Sequence, residues 1–242
     1  MIKSLSIIFP VYNEARRLKA SFKHILDFIK KKKFKKIEII FVDDGSVDNS
    51  YNLINNFIHI LKKKNVNACI VRSKKNLGKG SALKIGVNAS KFDWILTTDI
   101  DMSVSLFQIT SWIDKKLINK KNYVYFGSRS HKNSIVKRDY IRKILGNILG
   151  FFVYTILNIK IQDTQCGYKL YKKNIAKQLF KKLKNYGFDH DLEIILILKL
   201  KKINIVELPV KWIHKKNSSL NIFWDPLKMF VGLFIIKLRY FN

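Results

Sequence analysis

Three acidic groups sit at comparable places in the chain. Asn13-Glu14, Asp43-Asp44 and Asp99-Ile100-Asp101 each follow a short apolar run. An isolated Asp or Ser after such a run is usually a helix N-cap, the role expected of Asp48 and Ser81. Three acid groups on one rim are different, because they would repel one another without a cation between them. The Asp99-x-Asp101 pair offers hard carboxylate oxygens, the donors that Mg²⁺ or Mn²⁺ takes while bridging to a substrate diphosphate.

Placing those acids together requires a particular set of elements. Leu5 to Val11, Ile37 to Val42, Ala68 to Arg72 and Trp94 to Thr98 are short, predominantly apolar runs, as expected of strands buried on both faces. Between them, Ala15–Lys30, Asp48–Lys62 and Ser81–Ser90 repeat apolar residues at helical spacing; Leu18, Phe22, Ile25, Leu26 and Ile29 are one such stripe. Strands alternating with helices of this length imply βαβ units, a mainly parallel sheet and helices on both faces, an α/β fold. In open sheets of this kind ligands bind beyond the carboxyl ends of the strands, where the three acid groups lie.

The second half is less regular. Tyr123–Phe126 and Ile205–Trp212 read as strands, and Lys137–Asn158, Ile175–Leu183 and Leu192–Lys202 as helices. Ile161–Tyr171 contains a turn at Gln165-Cys166-Gly167. No linker rich in Gly, Pro or Ser interrupts the chain, so one domain is expected over 1–213, with an amphipathic extension over 214–242. Ile144–Ile159 and Leu227–Phe241 are strongly apolar but fall short of the roughly 20 residues of a spanning helix. Each fits a buried helix or one lying in a membrane interface. Lys137, Arg138, Arg142 and Lys143 just before the first favour the interface.

The 242 residues carry 47 Lys and Arg against 17 Asp and Glu, a formal charge of +30. With 48% hydrophobic and 13% aromatic residues the chain can build a core, which excludes a disordered chain. Two cysteines, Cys69 and Cys166, are too few for a disulfide framework or a zinc cluster. The charge calls for an anionic partner: nucleic acid, an anionic membrane or a phosphorylated substrate. Much of it is lysine, forty residues against seven arginines, alongside abundant Ile and Asn, the bias of AT-rich codons. Nucleic acid is not the expected partner. No helix-turn-helix, zinc or RNA-recognition signature appears, and acids cluster where a nucleic-acid groove would need bases.

The motifs resemble those of the family 2 glycosyltransferases, which have a GT-A nucleotide-diphospho-sugar fold. The matching residues are Phe9-Pro10-Val11-Tyr12-Asn13-Glu14, Val42-Asp43-Asp44-Gly45-Ser46, Asn76-Leu77-Gly78-Lys79-Gly80-Ser81-Ala82 and Asp99-Ile100-Asp101, in the family's order. Gly127-Ser128-Arg129, Arg138-x-x-x-Arg142-x-x-x-Gly146 and Asp163-Thr164-Gln165-Cys166-Gly167-Tyr168-Lys169 extend the resemblance to the subgroup that uses polyprenyl phosphates, and within it to the dolichyl-phosphate β-glucosyltransferases. The related mannosyltransferases differ around this last Asp. Gly187-Phe188-Asp189 and Glu207-Leu208-Pro209-Val210-x-Trp212 add to the match. Eukaryotic members of the subgroup begin with a membrane-spanning segment and many bacterial relatives end with several; neither pattern is present, so peripheral attachment to the cytoplasmic face of a membrane is expected.

The resemblance implies roles. Pro10, Tyr12, Glu14, Asp43, Lys79 and Asp99 would hold the nucleotide-sugar, expected to be UDP-glucose, in a part spanning about 1–126. Asp99 and Asp101, with His214 as a third ligand, would hold Mg²⁺ or Mn²⁺. A part over about 127–213 would take the acceptor, a polyprenyl phosphate, with Asp163, Arg129 and Arg138 catalytic. Such a phosphate, with a second pKa of about 6, is already largely anionic at neutral pH. A general base would then add little. Bringing a dianion to a diphosphate instead demands cations, and Arg suits phosphate because its planar fork binds bidentately. Three of the seven arginines, Arg129, Arg138 and Arg142, fall in this segment, the last two four apart as on one helix face. Asp163 would orient the acceptor or its cations, or serve as base if the acceptor were a saccharide hydroxyl, the competing reading. Cys166, with no His partner evident in the sequence, is not expected to act as nucleophile.

Overall fold

The structure is a computed structural model describing residues 2–119, 121–137, 140–187, 189–215 and 224–241. The first half follows the expected alternation: β1 (Ser4–Val11), α1 (Ala15–Lys30), β2 (Lys36–Asp43), α2 (Ser50–Lys63), β3 (Asn67–Arg72), α3 (Lys79–Ala89) and β4 (Trp94–Thr97). Thereafter come α4 (Phe107–Asp114), β5 (Val124–Ser128), β6 (Ile135–Lys137), α5 (Tyr140–Leu157), β7 (Lys169–Lys172), α6 (Lys173–Lys182), α7 (His190–Leu200), β8 (Val206–Pro209), β9 (Lys211–Ile213) and α8 (Trp224–Phe241).

Seven strands form one sheet in the order β3-β2-β1-β4-β7-β5-β8. All neighbours are parallel except β7, which runs antiparallel to both β4 and β5. The alternation of side chains along β1 divides the core. Leu5, Ile7 and Phe9 face the layer of α1, α2 and α4, while Ile8 faces α3, α6 and α7. Every one of these four is fully buried. The expected sheet covered on both faces is therefore observed.

Three features of the second half differ from the sequence reading. The short helix α4 was not foreseen. The strand expected over Ile205–Trp212 breaks at Val210: β8 stays in the main sheet, and β9 pairs with β6 in a separate two-stranded sheet. The third difference is the reversed direction of β7. Lys169 at its start pairs with Thr97 and Phe126 near the ends of β4 and β5, so the segment ahead of β7 is delivered to the same rim as the parallel strand ends. The extension beyond 213 contains α8, whose Leu233 and Ile236 are fully buried with α5 and α7 residues.

Candidate active site

The adjacent strands β2, β1 and β4 end side by side, and the loops beyond them are tied by their own polar side chains. Asn13, held at a positive φ of 54°, accepts the Val47 N–H at 3.0 Å through Oδ1 and donates its backbone N–H to Ser46 Oγ at 3.0 Å. Asp44 accepts the N–H groups of Leu77 and Gly78 at 3.0 and 2.7 Å. That fastens the β2 end to the loop entering α3. Gly78 sits at φ 101°, and a Cβ there would lie 2.3 Å from the Tyr186 carbonyl, so only glycine fits.

Among the nucleotide-sugar residues read from sequence, Pro10 lies at the end of β1 and Tyr12 is exposed beyond it. Asp43 is fully buried. Its Oδ1 accepts the Ser46 N–H at 3.2 Å, and Arg72 Nε lies 3.1 Å from Oδ2. That N–H is not aligned with the oxygen, so Oδ2 is buried without a hydrogen-bond donor among the described residues. A buried acceptor left this way carries a desolvation cost that an incoming N–H or O–H would relieve.

Asp99, Asp101 and Glu14 share the rim with two cations. Lys79 Nζ is 2.6 Å from Asp99 Oδ1, while Arg17 pairs with Glu14 at 2.5 Å and lies 3.6 Å from Asp101. Asp101 Oδ1 also accepts the Ser103 N–H at 2.9 Å. Burial pushes the Glu14 carboxyl up to about 7, with Asp101 and Asp99 adding to the rise against Arg17. Burial and then the Asp99 charge raise Asp101 as well. These crowded carboxylates fit a divalent cation, whose hard-oxygen preference matches both Asp99 and Asp101. The expected third ligand, His214, does not join them. Among the described residues no three His, Cys, Asp or Glu side chains gather as a metal site. His214 follows β9 in the second sheet, donates its backbone N–H to Lys137 O at 3.1 Å and stacks on Trp212 with centroids 5.9 Å apart.

The segment before β7 completes the rim. A Cβ on Gly167 would lie 2.6 Å from Asp99 Oδ2, so this glycine gives the carboxylate its place. Asp163 is 6% exposed and grips Arg129 bidentately, Nε to Oδ2 at 2.7 Å and Nη2 to Oδ1 at 2.8 Å; the Arg129 backbone N–H adds a third bond at 2.7 Å. Burial alone would raise the Asp163 carboxyl, but the Arg129 charge and hydrogen bonds outweigh it and hold the group below its usual range. The Arg129 guanidinium also lies 5.8 Å from the Trp212 ring. A cavity of about 530 Å³ opens beside the pair, bordered by Lys160, Gln162, Thr164 and, from α5, Gly146, Gly150 and Tyr154. Arg142 lies within α5, and Arg138 falls outside the described residues.

With the geometry in place, comparison with known proteins decides the family. The sequence profile described as glycosyl transferase family 2 matches residues 6–180. The chain belongs to that family. Dolichyl-phosphate beta-glucosyltransferase of Homo sapiens is 32% identical over 249 residues, covering 98% of this chain and 76% of that protein. Two crystal structures of glucosyl-3-phosphoglycerate synthase from Mycobacterium tuberculosis share its fold. The complex with Mn²⁺, UDP and phosphoglyceric acid has a TM-score of 0.70 at 13% identity, covering 97% of this chain and 78% of that one. The complex with Mn²⁺, UDP-glucose and glycerol 3-phosphate has a TM-score of 0.65 at 15% identity, covering 97% and 80%. The protein is thus a glycosyltransferase of GT-A fold.

This glycosyltransferase also holds groups to which the sequence reading gave no role. Glu207 accepts the N–H groups of Gln162 and Asp163 at 3.0 and 3.1 Å, fixing the backbone that carries Asp163. Behind the rim, Lys169, 1% exposed, pairs with Asp191 at 2.5 Å and donates to the Thr164 carbonyl at 3.1 Å. His190 Nε2 lies 3.1 Å from the same Asp191 oxygen. Burial opposes ionisation of Asp191, but His190 and Lys169 hold it well below the usual carboxylate range. The available signal was the acids Asp191 and Glu193 at the mouth of the apolar run Ile194–Leu198. A buried helix start can keep such charges only if they are partnered.

Proposed function

We propose that this chain transfers glucose, with inversion, from UDP-glucose to a polyprenyl phosphate of the dolichyl type, working peripherally at the cytoplasmic face of an anionic membrane. One observation carries the reading: the buried bidentate Arg129–Asp163 pair beside a cavity that also presents Lys160. The similarity to dolichyl-phosphate beta-glucosyltransferase supports the acceptor and the sugar. The UDP-glucose and Mn²⁺ of the fold relative support the donor and a divalent ion.

In this reading residues 1–126 take the donor and 127–213 the acceptor. Asp43 receives a nucleoside hydroxyl or N–H at its unsatisfied oxygen, with Pro10, Tyr12 and Glu14 bordering the nucleotide. Asp99 and Asp101 would hold Mg²⁺ or Mn²⁺, which would supply positive charge to neutralise the diphosphate. Lys79 shares that charge. Arg129 receives the acceptor phosphate, joined by Arg138 and Arg142. Asp163, ionised and fully engaged by Arg129, is a poor proton acceptor and works by fixing the guanidinium. A phosphate nucleophile needs no base, so that assignment is consistent with the chemistry.

A thermal-shift panel of UDP-, GDP- and dTDP-sugars with Mn²⁺ tests the donor half, since a ligand stabilises the fold according to its occupancy. UDP-glucose is expected to give the largest shift. Transfer to a short-chain polyprenyl phosphate, set against free saccharides, tests the acceptor half. Transfer to saccharide hydroxyls alone would replace this reading with the competing one.

A further inference from the structure

Gln165 stands between the two halves of the site with its backbone fixed and its amide nitrogen unpaired. Its backbone N–H donates to Asp163 Oδ1 at 3.2 Å, and Lys169 Nζ donates to the preceding carbonyl, Thr164 O, at 3.1 Å. On its other side Cys166 is buried and Gly167 abuts Asp99, with 2.6 Å between an added Cβ and Oδ2. The side chain is not held in the same way. Nε2 is buried and has no acceptor among the described residues. An unpaired buried donor costs stability, and the cost is removed when an incoming group accepts from it. The sequence reading gave Gln165 no role, although it lies inside the segment Asp163-Thr164-Gln165-Cys166-Gly167.

The residue also lines the cavity of about 530 Å³ beside Arg129. Half a turn about the last side-chain bond exchanges the donor and acceptor corners of a carboxamide, so either can face that space. Arg129 and Lys160 already give the cavity the cations a phosphate needs. A neutral amide adds something else, one donor group and one acceptor, which is the complement of a hydroxyl. Its place in the chain says whose hydroxyl. Two residues earlier, Asp163 fixes Arg129, the group assigned to the acceptor phosphate. Two residues later, Gly167 abuts Asp99, assigned to the donor diphosphate. The group in transit between those two phosphates is the hexose. On these grounds we propose that the Gln165 carboxamide binds a hydroxyl of the transferred hexose and takes part in the choice of sugar. The inference deepens the UDP-glucose reading and rests on it. Polar groups placed on a fixed backbone in this way set the orientation and specificity of a small-molecule site.

Titration calorimetry of the full chain with UDP-glucose and with UDP, each in Mn²⁺ buffer, tests this directly, because UDP lacks only the hexose. Gln165→Met keeps the length of the side chain and removes the amide. It should bind UDP-glucose about tenfold more weakly than wild type does, and UDP within about twofold. In transfer, the preference for UDP-glucose over UDP-galactose in kcat/KM should shrink by about the same factor, while the KM for the polyprenyl phosphate stays unchanged. Without ligand, the variant should melt at the wild-type temperature or above it, since an unpaired donor has left the interior. A variant that melts several degrees lower overturns the proposal, because the amide would then be serving the fold. Equal weakening of UDP and UDP-glucose overturns it too, placing the damage at the nucleotide or the metal. So does unchanged donor binding with a raised KM for the polyprenyl phosphate, which would give the amide to the acceptor. A wild type that binds another nucleotide-sugar better than UDP-glucose would sink the donor reading alone. The same comparison, made with that nucleotide-sugar and its parent nucleotide, would then decide the role of Gln165.

Discussion

Asp163 and Arg129 constrain each other, and the constraint predicts how each fails. Arg129 is 22% exposed at its side chain and Asp163 only 6%, so removing the acid strands a largely buried guanidinium. Losing one partner of a buried pair costs about 3–5 kcal/mol, and partial exposure of Arg129 points to the lower end. For Asp163→Asn that corresponds to a melting temperature lower by about 6–12 °C in a chain of this size. Transfer should fall by about a hundredfold or more in kcat, because the guanidinium loses its orientation. The pH dependence separates this from a general packing defect. The folded-state pKa of Asp163 lies below its ordinary 3.8, so its stabilisation is present above 3.8 and disappears as pH falls through the lower folded value. The difference in melting temperature between wild type and Asp163→Asn should therefore be constant from neutral pH down to about 4 and then close in more acidic buffer. A difference that persists unchanged in acid would mean the carboxylate charge is not what holds Arg129. Cys166 provides a simpler check. Burial pushes its thiol up to about 12, so alkylation at pH 8 should label Cys69, the exposed cysteine, and spare Cys166 until the chain unfolds.

At the scale of elements, the reversed strand β7 is what makes the site, and two substitutions test that. Gly167→Ala would press a methyl group onto the end of the Asp99 side chain, 2.6 Å away, and a flexible carboxylate can swing aside at little cost. Stability should change by less than about 1 kcal/mol, while Mn²⁺-dependent stabilisation by UDP-glucose falls about tenfold in apparent affinity. Equal losses in both would show that the glycine serves the fold and not Asp99. The Lys169–Asp191 pair links β7 to the start of α7 inside the core. Lys169→Met alone leaves a buried carboxylate and should cost about 3–5 kcal/mol in denaturant unfolding, whereas Lys169→Met with Asp191→Leu should recover most of it. These two elements also mark where sequence stopped being informative. The first four strands were readable because each is a predominantly apolar run flanked by an amphipathic helix, and their ends bring Glu14, Asp43, Asp99 and Asp101 to one rim. Asp163 and Arg129 were found by motif, but nothing in Ile161–Tyr171 shows that the strand after the turn runs backwards between β4 and β5. That direction is a tertiary outcome, as is the break at Val210, which moves Trp212 into a second sheet, carries His214 just past its end and ends the expectation of a histidine metal ligand. The helix α4, eight residues with no polar N-cap, has too short a period to stand out.

For the molecule as a whole, the +30 charge sits uneasily with a site built on carboxylates. The acids that matter converge on the rim, where Lys79, Arg17 and Arg129 already pair with them. Most of the other described lysines are exposed, on helices and in the loops between them, and repel one another across the fold. Such self-repulsion destabilises the compact state, because unfolding lets like charges separate. Salt should relieve it: the screening length shrinks from about 30 Å at 0.01 M to about 8 Å at 0.15 M. The melting temperature is therefore expected to rise by several degrees over that range, roughly 5 °C for a net gain of about 2 kcal/mol. The opposite sign is expected for the partnerships that the charge serves, so partitioning onto anionic vesicles should weaken over the same interval. Buried pairs such as Lys169–Asp191 are shielded from bulk ions and should not contribute to either trend, so the salt effect should survive the Lys169→Met/Asp191→Leu exchange unchanged. A melting temperature that is flat or falls with salt would mean that the lysines are balanced locally and that the net charge has no role in the energetics of the fold.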